Sequence, residues 1–117
     1  MDLIKYPAPY KDQYAQLGKH RWSVHRLVNL SKDIPTLTIP LEHLNLWHKY
    51  DLTMREMAGH VKAILAADLK YPILLDEDGE ILDGRHRLMK AILLKKKTIK
   101  AKRFLENPPP CSIDGNN

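Results

Sequence analysis

Chemistry in this 117-residue chain is concentrated in five consecutive residues, Asp83-Gly84-Arg85-His86-Arg87. Two guanidinium groups flank an imidazole directly after a glycine. Leu88, Ala91, Ile92 and Leu94 follow at near-helical spacing, so the triplet opens a helix. The first turn of a helix carries unpaired N–H groups and the positive end of the macrodipole, where acids are normally favoured. Cations placed there repel one another and the dipole. An anion relieves that cost, and phosphate fits best, held by backbone N–H groups and guanidinium forks. The competing reading is that Arg85 and Arg87 pair with Asp83 and with the acidic cluster Asp76-Glu77-Asp78. In the phosphate reading Gly84 lets the ligand approach the backbone. Arg87 grips two oxygens, His86 donates a hydrogen bond or acts as an acid at a leaving oxygen, and Arg85 caps a terminal phosphate.

The elements that must position these residues are short. Ile73 to Leu75 is an apolar strand after Pro72. Asp78-Gly79 is a hairpin turn signal, and Glu80 to Asp83 returns as a second strand. Lys95-Lys96-Lys97 forms the turn after the helix. Thr98 to Phe104 alternates like a half-buried strand, read as a basic edge strand along which two copies could pair. Upstream, Ser23 caps a short helix over Val24 to Lys32, and Thr36 to Pro40 is a strand followed by a single helical turn, Leu41 to Leu44. Residues 45–52 form a loop whose Trp47, His48 and Tyr50 either stack on a base or cover one edge of the core. Thr53 and Glu56 make a capping box for the clearest helix. Its Met54, Met57, Val61, Ile64 and Leu65 form a stripe read as core, and its His60 is given no role.

The order strand, Asp-Gly turn, strand, Asp-Gly-Arg-His-Arg, helix, Lys-rich turn, strand resembles the ParB/sulfiredoxin-like superfamily over about Thr36 to Phe104. Gly84, Arg87 and Ala91 match the first, fourth and last positions of the ParB box G-E-R-R-x-R-A-A. Gly84, His86 and Arg87 match the sulfiredoxin box G-C-H-R. The resemblance implies a small mixed α+β domain, read over residues 23–105; composition sets off an N-terminal arm, 1–22, with Pro7 and Pro9, and a Pro- then Gly/Asn-rich flexible tail, 106–117. The resemblance also implies a stand-alone module that binds a nucleotide or nucleic acid, as an accessory or regulatory DNA-associated protein of a phage or mobile element. The alternatives are a nuclease or nucleotide-dependent phosphotransferase using Mg²⁺ with ATP or CTP, and a protein-interaction module without catalysis. His86 and Glu42 are then the catalytic candidates, and Asp83 the Mg²⁺ candidate. Departures narrow the reading. Arg85 stands where sulfiredoxin needs its cysteine, which argues against peroxiredoxin repair. It also replaces the ParB glutamate. The chain ends before a helix-turn-helix domain begins.

Composition adds a charge asymmetry. Residues 51–84 hold three basic and eight acidic side chains, whereas residues 85–105 hold nine basic and no acidic ones. Lys95, Lys96, Lys97, Lys100 and Lys102 are therefore the candidate nucleic-acid contacts, with a solvated face as the alternative. No apolar run is long enough to span a bilayer and the N-terminus lacks a signal-peptide pattern, so a cytoplasmic protein without a membrane partner is expected. The single cysteine, Cys111, is expected as an exposed thiol.

Overall fold

Ile73, Leu74 and Leu75 are all buried, although neighbouring strand residues point to opposite faces. Both faces of this strand are covered. Ile73 and Leu75 join a cluster with Leu41, Leu44, Ile81, Leu88, Ala91, Ile99 and Ala101. Leu74 joins a second cluster with Ala15, Trp22, Val24, Leu27, Leu82 and Phe104. A short continuous apolar run is what a strand buried on both faces requires.

The computed structural model describes residues 14–113. Its elements are β1 (Tyr14–Leu17), β2 (His20–Ser23), α1 (Val24–Leu30), β3 (Leu37–Pro40), a 3₁₀ turn (Leu41–His43), α2 (Met54–Ala66), β4 (Ile73–Leu75), β5 (Ile81–Asp83), α3 (Arg85–Leu93), β6 (Thr98–Arg103) and β7 (Ser112–Ile113). The protein is a small α+β domain. One mixed sheet has the order β3-β6-β4-β5, with β4 and β6 parallel and the other pairs antiparallel. A smaller antiparallel sheet has the order β1-β2-β7. No helix among the described residues is long and apolar enough to cross a membrane.

Local chemistry explains several elements. The Asp76 carboxylate accepts from the N–H groups of Asp78 and Glu80, both at 2.8 Å, and Gly79 takes φ +85° to close the turn between β4 and β5. Thr53 Oγ1 accepts from Glu56 N–H at 3.1 Å, and Glu56 Oε1 accepts from Thr53 N–H at 3.0 Å, completing the box that starts α2.

Four expectations change. The strand Thr98–Arg103 is not an edge, because β3 and β4 pair with its two sides. With β3 along Thr98–Ala101 and β4 along Ala101–Arg103, it is an interior strand rather than the free edge expected for pairing of two copies. The tail runs back along the domain as far as Ile113. Trp22 Nε1 donates to Pro108 O at 2.7 Å, Cys111 N–H donates to Arg21 O at 2.7 Å, and β7 pairs with β2. Composition favoured disorder there, but long-range pairing outweighs it. Residues 114–117 of the expected tail, and residues 1–13 of the expected arm, lie outside the described residues. The rest of the arm forms the β1–β2 hairpin, with Trp22 in the second cluster. Finally, the apolar stripe of α2 is not core. Met54, Met57, Val61 and Leu65 are 90%, 55%, 48% and 69% exposed, and α2 has no buried residue. The inner face of the sheet is already filled by Leu88 and Ala91 of α3 and by Leu41 and Leu44. That leaves α2 to pack on the flank of α3. Cys111 is exposed, as expected.

Candidate functional site

The hairpin of β4 and β5 returns the chain so that Gly84 lies beside Ile73, the first residue of β4. Gly84 takes φ +105°, and a Cβ there would stand 2.5 Å from Ile73 Cγ2. Glycine is thus required by the turn into α3 and by packing on a fully buried isoleucine. The expectation that it serves close approach of a ligand is not needed to explain it. Having no side chain, Gly84 also offers α3 no cap. The first helical bond runs from Leu88 N–H to Gly84 O at 2.9 Å. The N–H groups of Arg85, His86 and Arg87 therefore have no intrahelical acceptor.

The triplet splits into three different side chains. Arg87 Nη2 donates to Asp83 Oδ2 at 2.9 Å, with the two side chains 14% and 17% exposed. Its Nε is buried without a partner. Arg87 is therefore committed to Asp83 and is not a free fork for phosphate. His86 Nε2 lies 2.7 Å from His60 Nδ1, with ring centroids 4.9 Å apart. Burial first, then the neighbouring His60, push the His86 pKa below its ordinary value of 6.5; Asp83 opposes them, and Arg87 adds the smallest push in the same downward direction. At neutral pH it is an uncharged imidazole, suited to hydrogen bonding or to accepting a proton rather than to donating one as an acid. Arg85 is half-buried, and its guanidinium forms no hydrogen bond or ion pair with a described residue. The expected repulsion among three cations is largely relieved inside the protein, by Asp83 and by a neutral His86. Only Arg85 is left with unanswered charge.

These groups border a cleft of about 530 Å³ lined by Gly84, Arg85, His86 and Arg87 on one side and by Ala63, Ala67 and Asp68 on the other. The α2 wall is built from small side chains, which let α3 approach. Lys90 Nζ closes the contact, donating to Leu65 O at 3.0 Å and Ala67 O at 2.6 Å at the end of α2.

The other candidates lie elsewhere. Glu42 is exposed on the 3₁₀ turn, whose Leu41 N–H bonds Lys97 O at 2.9 Å. It therefore sits near the lysine turn rather than near His86, and no catalytic pair forms between them. Lys95, Lys96 and Lys97 follow the C-terminus of α3, about 13 Å from Arg85 at 1.5 Å per residue. Cations there complement the negative end of the dipole. Lys100 is exposed on β6, whereas Lys102 Nζ donates to Ser31 O at 3.0 Å. Arg103 Nε donates to Glu77 O at 3.0 Å. Arg87, Lys90, Lys102 and Arg103 thus serve the fold, and the basic block does not assemble one continuous surface. Asp83 is held by Arg87, Asp68 Oδ1 accepts from Lys70 N–H at 3.0 Å, and no group of three possible ligands gathers among the described residues.

His60 is the residue that sequence reasoning missed. A polar side chain at the edge of the apolar stripe, between Ile64 and the small residues Ala63 and Ala67, was the available signal. No protein-family model matches the chain, and a search of curated proteins returns no match.

Proposed function

We infer that this chain is an anion-binding module of the ParB/sulfiredoxin-like kind, taking the phosphate of a nucleotide at the head of α3 as part of an accessory or regulatory DNA-associated protein. One observation carries the reading. Arg85, without an acidic partner, borders the same cleft as an α3 N-terminus that no side chain caps. Together they supply a guanidinium and N–H donors without intrahelical acceptors, the usual requirements of a phosphate site, in a cleft whose acids are Asp83, held by Arg87, and Asp68 on the opposite wall. A nucleotide is favoured over duplex DNA because Lys90 and Lys102 are engaged within the fold and Lys95, Lys96 and Lys97 lie at the far end of α3 from the cleft. His86, neutral and held by His60, would hydrogen-bond a phosphate hydroxyl. No catalytic step is assigned to it.

The test is a thermal-shift series with ATP, ADP, CTP, GTP and a short DNA duplex, each with and without Mg²⁺. A nucleotide is expected to raise Tm, less so as salt increases. Arg85→Ala is expected to abolish the shift while leaving the Tm of the free protein nearly unchanged. No shift with any polyanion, or a shift that survives Arg85→Ala, overturns the reading.

A further inference from the structure

The exposed stripe of α2 does not end at the helix. Between α2, α3 and residues 50–52 it deepens into a groove of about 240 Å³ whose walls include Tyr50, Leu52, Met57, Ile64 and Met89. Met54, Val61 and Leu65 continue that apolar surface along α2. Spacings of three and four residues keep Met54, Met57, Val61 and Leu65 in one row about 16 Å long. Methionines in such a surface adapt to varied side chains.

The borders of the row are basic. Arg55 and Lys62 are exposed and two turns apart on one edge, and Arg85 lies at the groove on the other. None of the three guanidinium or ammonium groups forms an ion pair with a described residue. Glu56, the acid on α2 itself, is turned back to the Thr53 N–H, which leaves Asp51, in the 50–52 wall, as one carboxylate against the three cations. We propose that this groove is a docking surface for an amphipathic helix of a partner protein, one that lays an apolar row against α2 and flanks it with carboxylates. Charge decides the occupant. A second copy of this chain would set Arg55 and Lys62 of each protomer beside a surface equally basic, and a flat lipid surface does not enter a concave groove. In the helix-in-groove mode the incoming helix supplies apolar anchors at three- and four-residue spacing, which the row on α2 can match along its length. This surface does not depend on the phosphate reading, since Arg85 is one of three cations at its edges.

Two fluorescein-labelled helical peptides of about 14 residues test it against the full chain by anisotropy. Both carry the same leucine row, and one has glutamates and the other lysines beside it. The glutamate peptide is expected to bind saturably and about tenfold or more tighter than the lysine peptide. Met57→Glu, at a side chain more than half exposed and so without consequence for folding, is expected to abolish binding. The double variant Arg55→Glu/Lys62→Glu is expected to reverse the preference between the peptides. Equal binding of both peptides, or binding unaffected by Met57→Glu, overturns the proposal. So does preferential binding to phosphatidylserine vesicles, or sedimentation showing a dimer that Met57→Glu dissolves.

Discussion

His60 Nδ1 and His86 Nε2 meet at 2.7 Å across the contact between α2 and α3. A single proton joins two such nitrogens, so one ring donates and the other accepts. Protonating both rings removes the acceptor and sets two cations in contact, beside Arg85 and Arg87. Since α2 buries none of its residues, this bond and the Lys90 clasp on the α2 carbonyls are prominent among the polar links that hold it to α3.

A pH dependence follows. The His86 pKa is depressed in the folded protein, so the unfolded chain takes up that proton first as pH falls. Its contribution is fully present above the ordinary value of 6.5 and is lost progressively below it, down through the depressed folded value. Urea midpoints measured from about pH 8 to pH 5 are expected to hold steady and then fall below pH 6.5 more steeply in the native chain than in His86→Gln. Parallel curves for the two proteins would show that the pair is not responsible.

Arg85 and Arg87 are expected to separate cleanly on substitution. Arg87→Ala leaves the mostly buried Asp83 carboxylate without its partner, at a cost of about 3 kcal/mol. Arg87→Ala/Asp83→Asn is expected to recover part of that loss, because the stranded charge is gone. Arg85→Ala, which breaks no bond within the fold, is expected to change stability by less than about 0.5 kcal/mol. Chemical denaturation of the four proteins gives the comparison, and a stability loss in Arg85→Ala equal to that in Arg87→Ala would contradict it.

Gly84→Ala is expected to destabilise the chain by roughly 2–4 kcal/mol, combining left-handed backbone strain with overpacking. The new methyl carbon meets the branched carbon and a methyl of Ile73, and neither is the end of a flexible side chain. The companion variant Ile73→Val is expected to relieve none of the loss, since valine keeps both the Cγ2 at 2.5 Å and the Cβ at 2.9 Å. A Gly84→Ala protein with unchanged denaturation midpoint would show that the turn into α3 can relax.

Deleting residues 107–117 is expected to uncover Trp22, which is 3% exposed and donates its indole N–H to Pro108 O. The loss of that bond and of cover on the second cluster is expected to cost about 2 kcal/mol. Trp47 is exposed already, so increased acrylamide quenching in the truncated protein reports on Trp22. Quenching identical to that of the full chain would show that the segment adds no cover.

Local chemistry was legible wherever a few neighbouring residues settle the backbone. Thr53 and Glu56 announce the start of α2 because both halves of a capping box lie within one turn. Asp78-Gly79 announces the hairpin because only glycine takes its φ freely, and Ile73 to Leu75 announces a strand because its apolar run is short and bounded. The same spacing placed Asp83 and Arg87 within reach, four residues apart at the junction of β5 and α3. Tertiary structure alone decided what covers each face. Periodicity shows that α2 has an apolar row but not whether another element lies on it, and here α3 had already filled the sheet. Alternation shows that Thr98–Arg103 is a strand but not that β3 and β4 bracket it, since the pairing joins residues some sixty positions apart for β3 and twenty-eight for β4. The meeting of His60 and His86, and the place of Arg85 at the cleft between α2 and α3, depend on how two helices cross. Nothing within one turn of sequence encodes that distance.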